Sequence, residues 1–111
     1  MGMVDGPRAA FSYNGAWLYL GDVACVHLVE VAEPPAPQGG LLLEHFAFSA
    51  EGLAEFLERL KRRGEDYRIR LISSIDMIQV NIQDPDGNHI HVDFAAAEAA
   101  SVPDEPALAA V

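Results

Sequence analysis

The chain holds a single cysteine, Cys25, so no intrachain disulfide can brace it. No N-terminal stretch joins a basic start to an apolar run and a small-residue cleavage site, and the expected compartment is therefore the cytoplasm. No apolar run approaches the roughly 20 residues that cross a bilayer, which makes a soluble protein the expectation. Positive charge is scarce as well. Seven lysines and arginines face 17 aspartates and glutamates, a formal net charge of −10. Nucleic acid and anionic membrane are polyanions that such a chain repels at long range, which leaves a small molecule or another protein as partner. Most of the few basic residues, Arg59, Lys61, Arg62, Arg63, Arg68 and Arg70, sit in one local cluster. That cluster reads as a solvated helix end or as a docking patch for an anionic group, and the solvated end is the simpler reading.

With 111 residues, half of them apolar, the chain suffices for one small domain with a core of its own. Residues 15 to 31, GAWLYLGDVACVHLVEV, carry two β-rich runs split by Gly21 and Asp22, the pattern of a short hairpin. Trp17 and Tyr19 share one face of its first strand, Leu18 and Leu20 the other. In its second strand Cys25, His27 and Val29 alternate with Val26, Leu28 and Glu30. The segment EPPAPQGG, residues 33 to 40, excludes a regular element and reads as a linker between two halves.

Beyond it, LLLEHFAFS predicts a strand with His45, Ala47 and Ser49 on one face and Glu44, Phe46 and Phe48 on the other. The period then changes, with Leu53, Phe56, Leu57 and Leu60 at helical spacing, Ser49 as candidate cap and Gly64 as stop. The helix stripe is expected to pack on the phenylalanine side of that strand. Three more strands are expected at about 66–72, 77–83 and 88–94, the last two joined by a type I turn at Asp84-Pro85-Asp86-Gly87. WLYLGDVACVHLVE and QVNIQDPDGNHIHVDF also overlay as strand, turn, strand, with His27 opposite His91 and Tyr19 opposite Asn81. Two halves built on one module are implied.

GAWLYLGD followed by VHLVE, the proline-rich linker, EHFAF, the helix, and DPDGN running into a last strand together resemble the glyoxalase, bleomycin-resistance and extradiol-dioxygenase superfamily, the vicinal oxygen chelate fold. The resemblance covers about residues 6 to 94. It implies an α+β fold of paired βαβββ modules enclosing a divalent metal, whose ligands lie on the first and last strands of each module. Carried over by position, the ligands are His27, His45 and His91. Strand alternation alone puts each on the face away from the helix. Three imidazoles suit zinc, nickel, iron or manganese and do not suit calcium or magnesium. His89, beside the turn, is expected to be a partly exposed bystander.

Two departures qualify the resemblance. Family members usually carry glutamate where this chain has His91, and in glyoxalase-like lyases that carboxylate serves as general base. Asp93 is the nearest same-face substitute as proton carrier, although a solvated strand end is its plainer reading. The family's first module also begins with a strand and helix that are missing before PRAAFSYNGAWLYL. The expected organisation is thus one domain over 1–94, with a partial first module at 9–32 that lacks its first strand and helix, the linker at 33–40 and a second module at 41–94. An Ala/Pro-rich tail follows at 95–111. Leu18, Leu20, Val26 and Leu28 would then form an uncovered apolar face, which points to a homodimer or to cover by the alanine-rich start of the tail. Trp17, Tyr19, Gln79 and Asn81 flank the histidines and are the expected substrate contacts.

The function implied is a metal-dependent lyase or isomerase acting on a small molecule with adjacent oxygens. An iron-dependent ring-opening dioxygenase and a non-catalytic small-molecule-binding or resistance protein are the alternatives.

Overall fold

The computed structural model describes residues 1–33 and 45–108. The linker expected at 33–40, apart from Glu33, and positions 41–44 of the expected strand lie outside the described residues. The chain divides into two compact units, Met1–Ala36 and Pro37–Val111.

The first unit is a three-stranded antiparallel sheet in the order β1-β2-β3, with β1 at Val4–Gly6, β2 at Gly15–Leu20 and β3 at Val23–Val29. The hairpin β2-β3 turns at Gly21 and Asp22 as expected, with Gly21 at a φ of +59° that favours glycine. Strand β1 was not expected, because Val-Asp-Gly carries no strand signal of its own. What holds it is the ladder to β2 and a close contact: the ring of Tyr19 lies where a Cβ on Gly6 would stand, 2.7 Å from it. The Tyr19 hydroxyl donates to the carbonyl of Pro7 at 2.5 Å. Gly15 is tighter still, since a Cβ there would sit 2.1 Å from the carbonyl oxygen of Leu28. Among the described residues of this unit there is no helix and none is buried.

The second unit runs β4 (His45–Ser49), α1 (Leu53–Arg63), β5 (Arg68–Ile72), β6 (Met77–Gln83) and β7 (His89–Ala95). Its sheet order is β4-β7-β6-β5, parallel between β4 and β7 and antiparallel elsewhere. This is the βαβββ module expected, with β5, β6 and β7 each within two residues of its expected start. The turn before β7 closes by a bond from the Gly87 N–H to the Asp84 carbonyl at 2.9 Å. The Asp84 carboxylate also accepts from the backbone N–H groups of Asp86 and Asn88, an Asx turn that fixes the register of β7.

The helix buries Leu53, Phe56, Leu57 and Leu60 against Ile78, Val80, Val92 and Phe94. The contact is with β6 and β7, the two central strands, on the side of the sheet that carries Phe46 and Phe48, as expected. Those two share the helix side of the sheet but lie half-buried on its outer strand, packed edge to face on each other at 5.8 Å. Ser49 does not cap the helix. Gly52, at φ +89°, holds the N-cap position, and Glu98 supplies the acceptor, taking the N–H groups of Gly52 and Leu53 at 2.9 and 2.7 Å. Gly64 ends the helix in the left-handed conformation, as its position suggested.

Glu98 belongs to a 3-10 turn at Ala96–Ser101, the start of the segment expected to be a tail. Ala99, Val102 and Leu108 pack on the helix core. Glu105, buried, accepts from the Tyr67 hydroxyl at 3.2 Å and pairs with Lys61 at 3.5 Å. The segment is a strap along α1, anchored by one carboxylate near each end of the helix.

Candidate functional site

The helix takes one face of the second sheet, and register assigns the other. Across the strands His45 pairs with His89, and His89 with Gln83. One row on, Ala47 pairs with His91, His91 with Asn81, and Asn81 with Arg68. Ser49, Asp93, Gln79 and Arg70 make the third row. Side chains of paired residues point to one side of a sheet, so these rows form one polar face, back to back with the core.

His91 is the most buried of its imidazoles. It is 9% exposed, and its Nδ1 lies 2.7 Å from Oδ1 of Asp93, itself nearly buried. The carboxylate is a natural acceptor, so Nδ1 carries the proton and Nε2 keeps its lone pair for an electrophile. Asp93 is thereby engaged in orienting His91. The ring of His45 stands 4.7 Å from that of His91, centroid to centroid, and 5.4 Å from that of His89. His89 hydrogen-bonds Asn81 Oδ1 through Nε2 at 2.9 Å. It is half-buried and faces the same way as the other two, as expected of an i, i+2 neighbour of His91.

In the first unit Trp17 pairs with His27 across β2 and β3, and their rings stack at 4.0 Å and 10°. Among the described residues, neither ring nitrogen of His27 makes a hydrogen bond. Tyr19 is held over Gly6, on the same side of β2 as Trp17. The register corrects the repeat: His27 pairs with Trp17 as His91 pairs with Asn81, so Trp17 is the counterpart of Asn81, and Tyr19, past a bulge, pairs with Ala24.

Sequence reasoning missed two groups. Phe11 lies 6.2 Å from Trp17 and stacks on Tyr13 at 5.0 Å, with the Arg8 guanidinium 5.7 and 5.6 Å from the two ring centres. These extend the Trp17–His27 stack, and no periodic pattern marks them. Arg68 and Arg70 were grouped with the helix end, whereas strand alternation across Ile69 and Leu71 already separates them from it.

No protein-family model and no curated protein matches the chain. Solved structures do. A glyoxalase-family protein of Bacillus anthracis superposes with a TM-score of 0.63 at 26% identity, over 85% of this chain and 74% of that one. The fold is that of the vicinal oxygen chelate superfamily. A glyoxalase/bleomycin resistance protein/dioxygenase of Alicyclobacillus acidocaldarius gives a TM-score of 0.52 at 17% identity, over 85% of this chain and 74% of that one. A protein from the mobile metagenome of V. pseudocholerae gives 0.54 at 19%, over 84% and 75%.

Vicinal oxygen chelate proteins are typically metal-dependent, which makes the donor set of this chain the next question. Among the described residues no group of three or more His, Cys, Asp or Glu side chains forms a site able to hold a metal ion as the side chains stand. The donor chemistry of each unit fits nonetheless: in the second, a buried imidazole has its tautomer fixed by a carboxylate and a second imidazole stands beside it; in the first, His27 has ring nitrogens uncommitted among the described residues. Imidazole donors select a transition ion over calcium or magnesium. No helix among the described residues is long and apolar enough to cross a membrane.

Proposed function

We propose that this vicinal oxygen chelate protein is a divalent transition-metal-dependent lyase or isomerase acting on a small molecule with two adjacent oxygens. His27, His45 and His91 would hold the ion, one of zinc, nickel, iron or manganese, with His27 assigned by the family resemblance. The observation that carries the reading is the buried His91–Asp93 pair beside His45, because a carboxylate behind an imidazole is how ligand histidines are oriented. When bound, the ion supplies Lewis-acid stabilisation of negative charge developing on the adjacent oxygens. The chain does the rest. Gln79 and Asn81 orient polar groups of the substrate on the sheet face; Trp17 and Tyr19 offer flat apolar surface. Asp93 would carry a proton, through the oxygen not bonded to His91.

We also propose that the protein acts in the cytoplasm as a homodimer, a second copy covering the face of Leu18, Leu20, Val26 and Leu28, where Leu20 and Leu28 are 39% and 49% exposed. Metal analysis of the purified protein tests the core of the reading. Stoichiometric metal that is lost in His45→Ala and His91→Ala supports it. Metal-free protein whose small-molecule binding survives His45→Ala would instead be a binding or resistance protein. Oxygen uptake with catechol would move the assignment to a ring-opening dioxygenase.

A further inference from the structure

The fold separates the basic residues that lie close in sequence. Lys61, Arg62 and Arg63 finish the helix, while Arg68 and Arg70 stand on the polar face of the second sheet. Arg68 is aligned with Asn81 and His91, and Arg70 with Gln79 and Asp93. Two strand spacings separate Arg68 from His91, about 10 Å between backbones. A molecule held at His91 and lying across Asn81 would end within reach of the Arg68 guanidinium.

We infer that Arg68 and Arg70 form a subsite for a carboxylate carried by the small molecule whose adjacent oxygens bind at the histidines. This rests on the reading of that face as the substrate site. The two guanidinium groups project from the same side of one strand, about 7 Å apart along it. Each is exposed, and the ion pairs among the described residues, Lys61–Glu105 and His91–Asp93, involve neither. Asp93 is the only carboxylate on the polar face of the described strands, and its Oδ1 is already held by His91. Among the described residues, the two like charges thus stand side by side with no ion-pair partner, in a chain with 17 acidic residues and seven basic ones.

The strand cannot turn them away, because Ile69 and Leu71 pack on the helix core from its other side. Charge on an outer strand discourages edge pairing, but either sign serves that purpose. Arginine rather than the prevailing acid is explained by an anion, and the planar guanidinium fork matches a carboxylate bidentately. The net charge of −10 repels free anions at a distance, so selection acts only once the ligand is seated.

A matched pair of probes tests this on the full chain loaded with cobalt(II): catechol, and 3,4-dihydroxybenzoate, which adds a carboxylate opposite the same adjacent oxygens. Binding is followed by the cobalt(II) spectrum and by calorimetry. The carboxylate should tighten binding by about tenfold or more. Arg68→Gln/Arg70→Gln should erase that advantage and leave catechol binding as it was. Equal affinity for the two probes, or a preference that survives in the double variant, overturns the arginine subsite while catechol binding keeps the metal reading intact. If neither probe moves the cobalt(II) spectrum, the metal reading fails instead. Calorimetry with 3,4-dihydroxybenzoate then still decides the arginines: heat lost in the double variant supports them, and absent or unchanged heat overturns them.

Discussion

Removing the carboxylate of Glu98 should destabilise the second unit through a helix 45 residues away in sequence. Helix α1 begins at Leu53 with Gly52 in the cap position, and glycine has no side chain to accept the free N–H groups of the first turn. Glu98 Oε2 takes two of them, at 2.9 and 2.7 Å, and sets a negative charge at the positive end of the helix dipole. Loss of a cap costs about 0.5–2 kcal/mol and loss of the charge about 0.3–1 kcal/mol. The N–H of Gly52 is exposed and can turn to water, whereas that of Leu53 is partly buried. Glu98→Ala should therefore cost about 2 kcal/mol, and Glu98→Gln, which keeps an acceptor, about half of that. Urea unfolding followed by far-UV circular dichroism measures both. A Glu98→Ala protein within about 0.3 kcal/mol of the parent, the low end of the charge term alone, would refute the cap.

Other consequences are open to equally direct measurement. Gly15→Ala places a Cβ 2.1 Å from the Leu28 carbonyl, so the β2–β3 ladder must shift; about 1–3 kcal/mol of strain should appear, with altered emission from Trp17, and unchanged emission would contradict the packing. Asp93→Ala should weaken cobalt(II) or zinc affinity about 10- to 100-fold in chelator competition, and Asp93→Asn less, because its amide oxygen can still accept from His91; equal affinities would leave Asp93 without an orienting role. Lys61 is raised above its ordinary 10.5, chiefly by Tyr67 and further by Glu105. A lysine with a raised folded-state value contributes stability in full below 10.5 and loses it as pH rises through that higher value. Alkaline titration of unfolding should show this loss in the parent and not in Lys61→Met, and coincident curves would count against the Lys61–Tyr67–Glu105 anchor.

What could be read from sequence divides by range. The helix was legible because Leu53, Phe56, Leu57 and Leu60 repeat at its own period, and its stop because Gly64 follows a basic turn. Its cap was not, since Glu98 is 46 residues from Gly52 and no local pattern links them. Strands β5 to β7 followed from alternation and the Asp84 turn, but β1 is three residues whose only reason to be extended is the neighbour they pair with.

The same distinction runs through the site. That His45 and His91 share a face follows from counting by twos, as does the placement of Gln79 and Asn81. The engagement of Asp93 with His91 depends on rotamers, which alternation does not specify. Tyr19 falls out of line with Asn81 because the first hairpin turns over Gly21-Asp22 and the second over residues 84–88, a difference that is invisible when two segments are simply overlaid. Linear proximity misassigned Arg68 and Arg70 to the helix end, although they belong to a different element.

The chain's one tryptophan offers the most direct test of the central claim. Trp17 stacks on His27 at 4.0 Å, so a paramagnetic ion bound by His27 should quench its emission. Titration with cobalt(II) should quench Trp17 at one equivalent in the parent, and on the proposed set of ligands His45→Ala or His91→Ala should abolish that response. Emission indifferent to the metal, or quenched equally in all three proteins, would contradict a site shared by His27, His45 and His91.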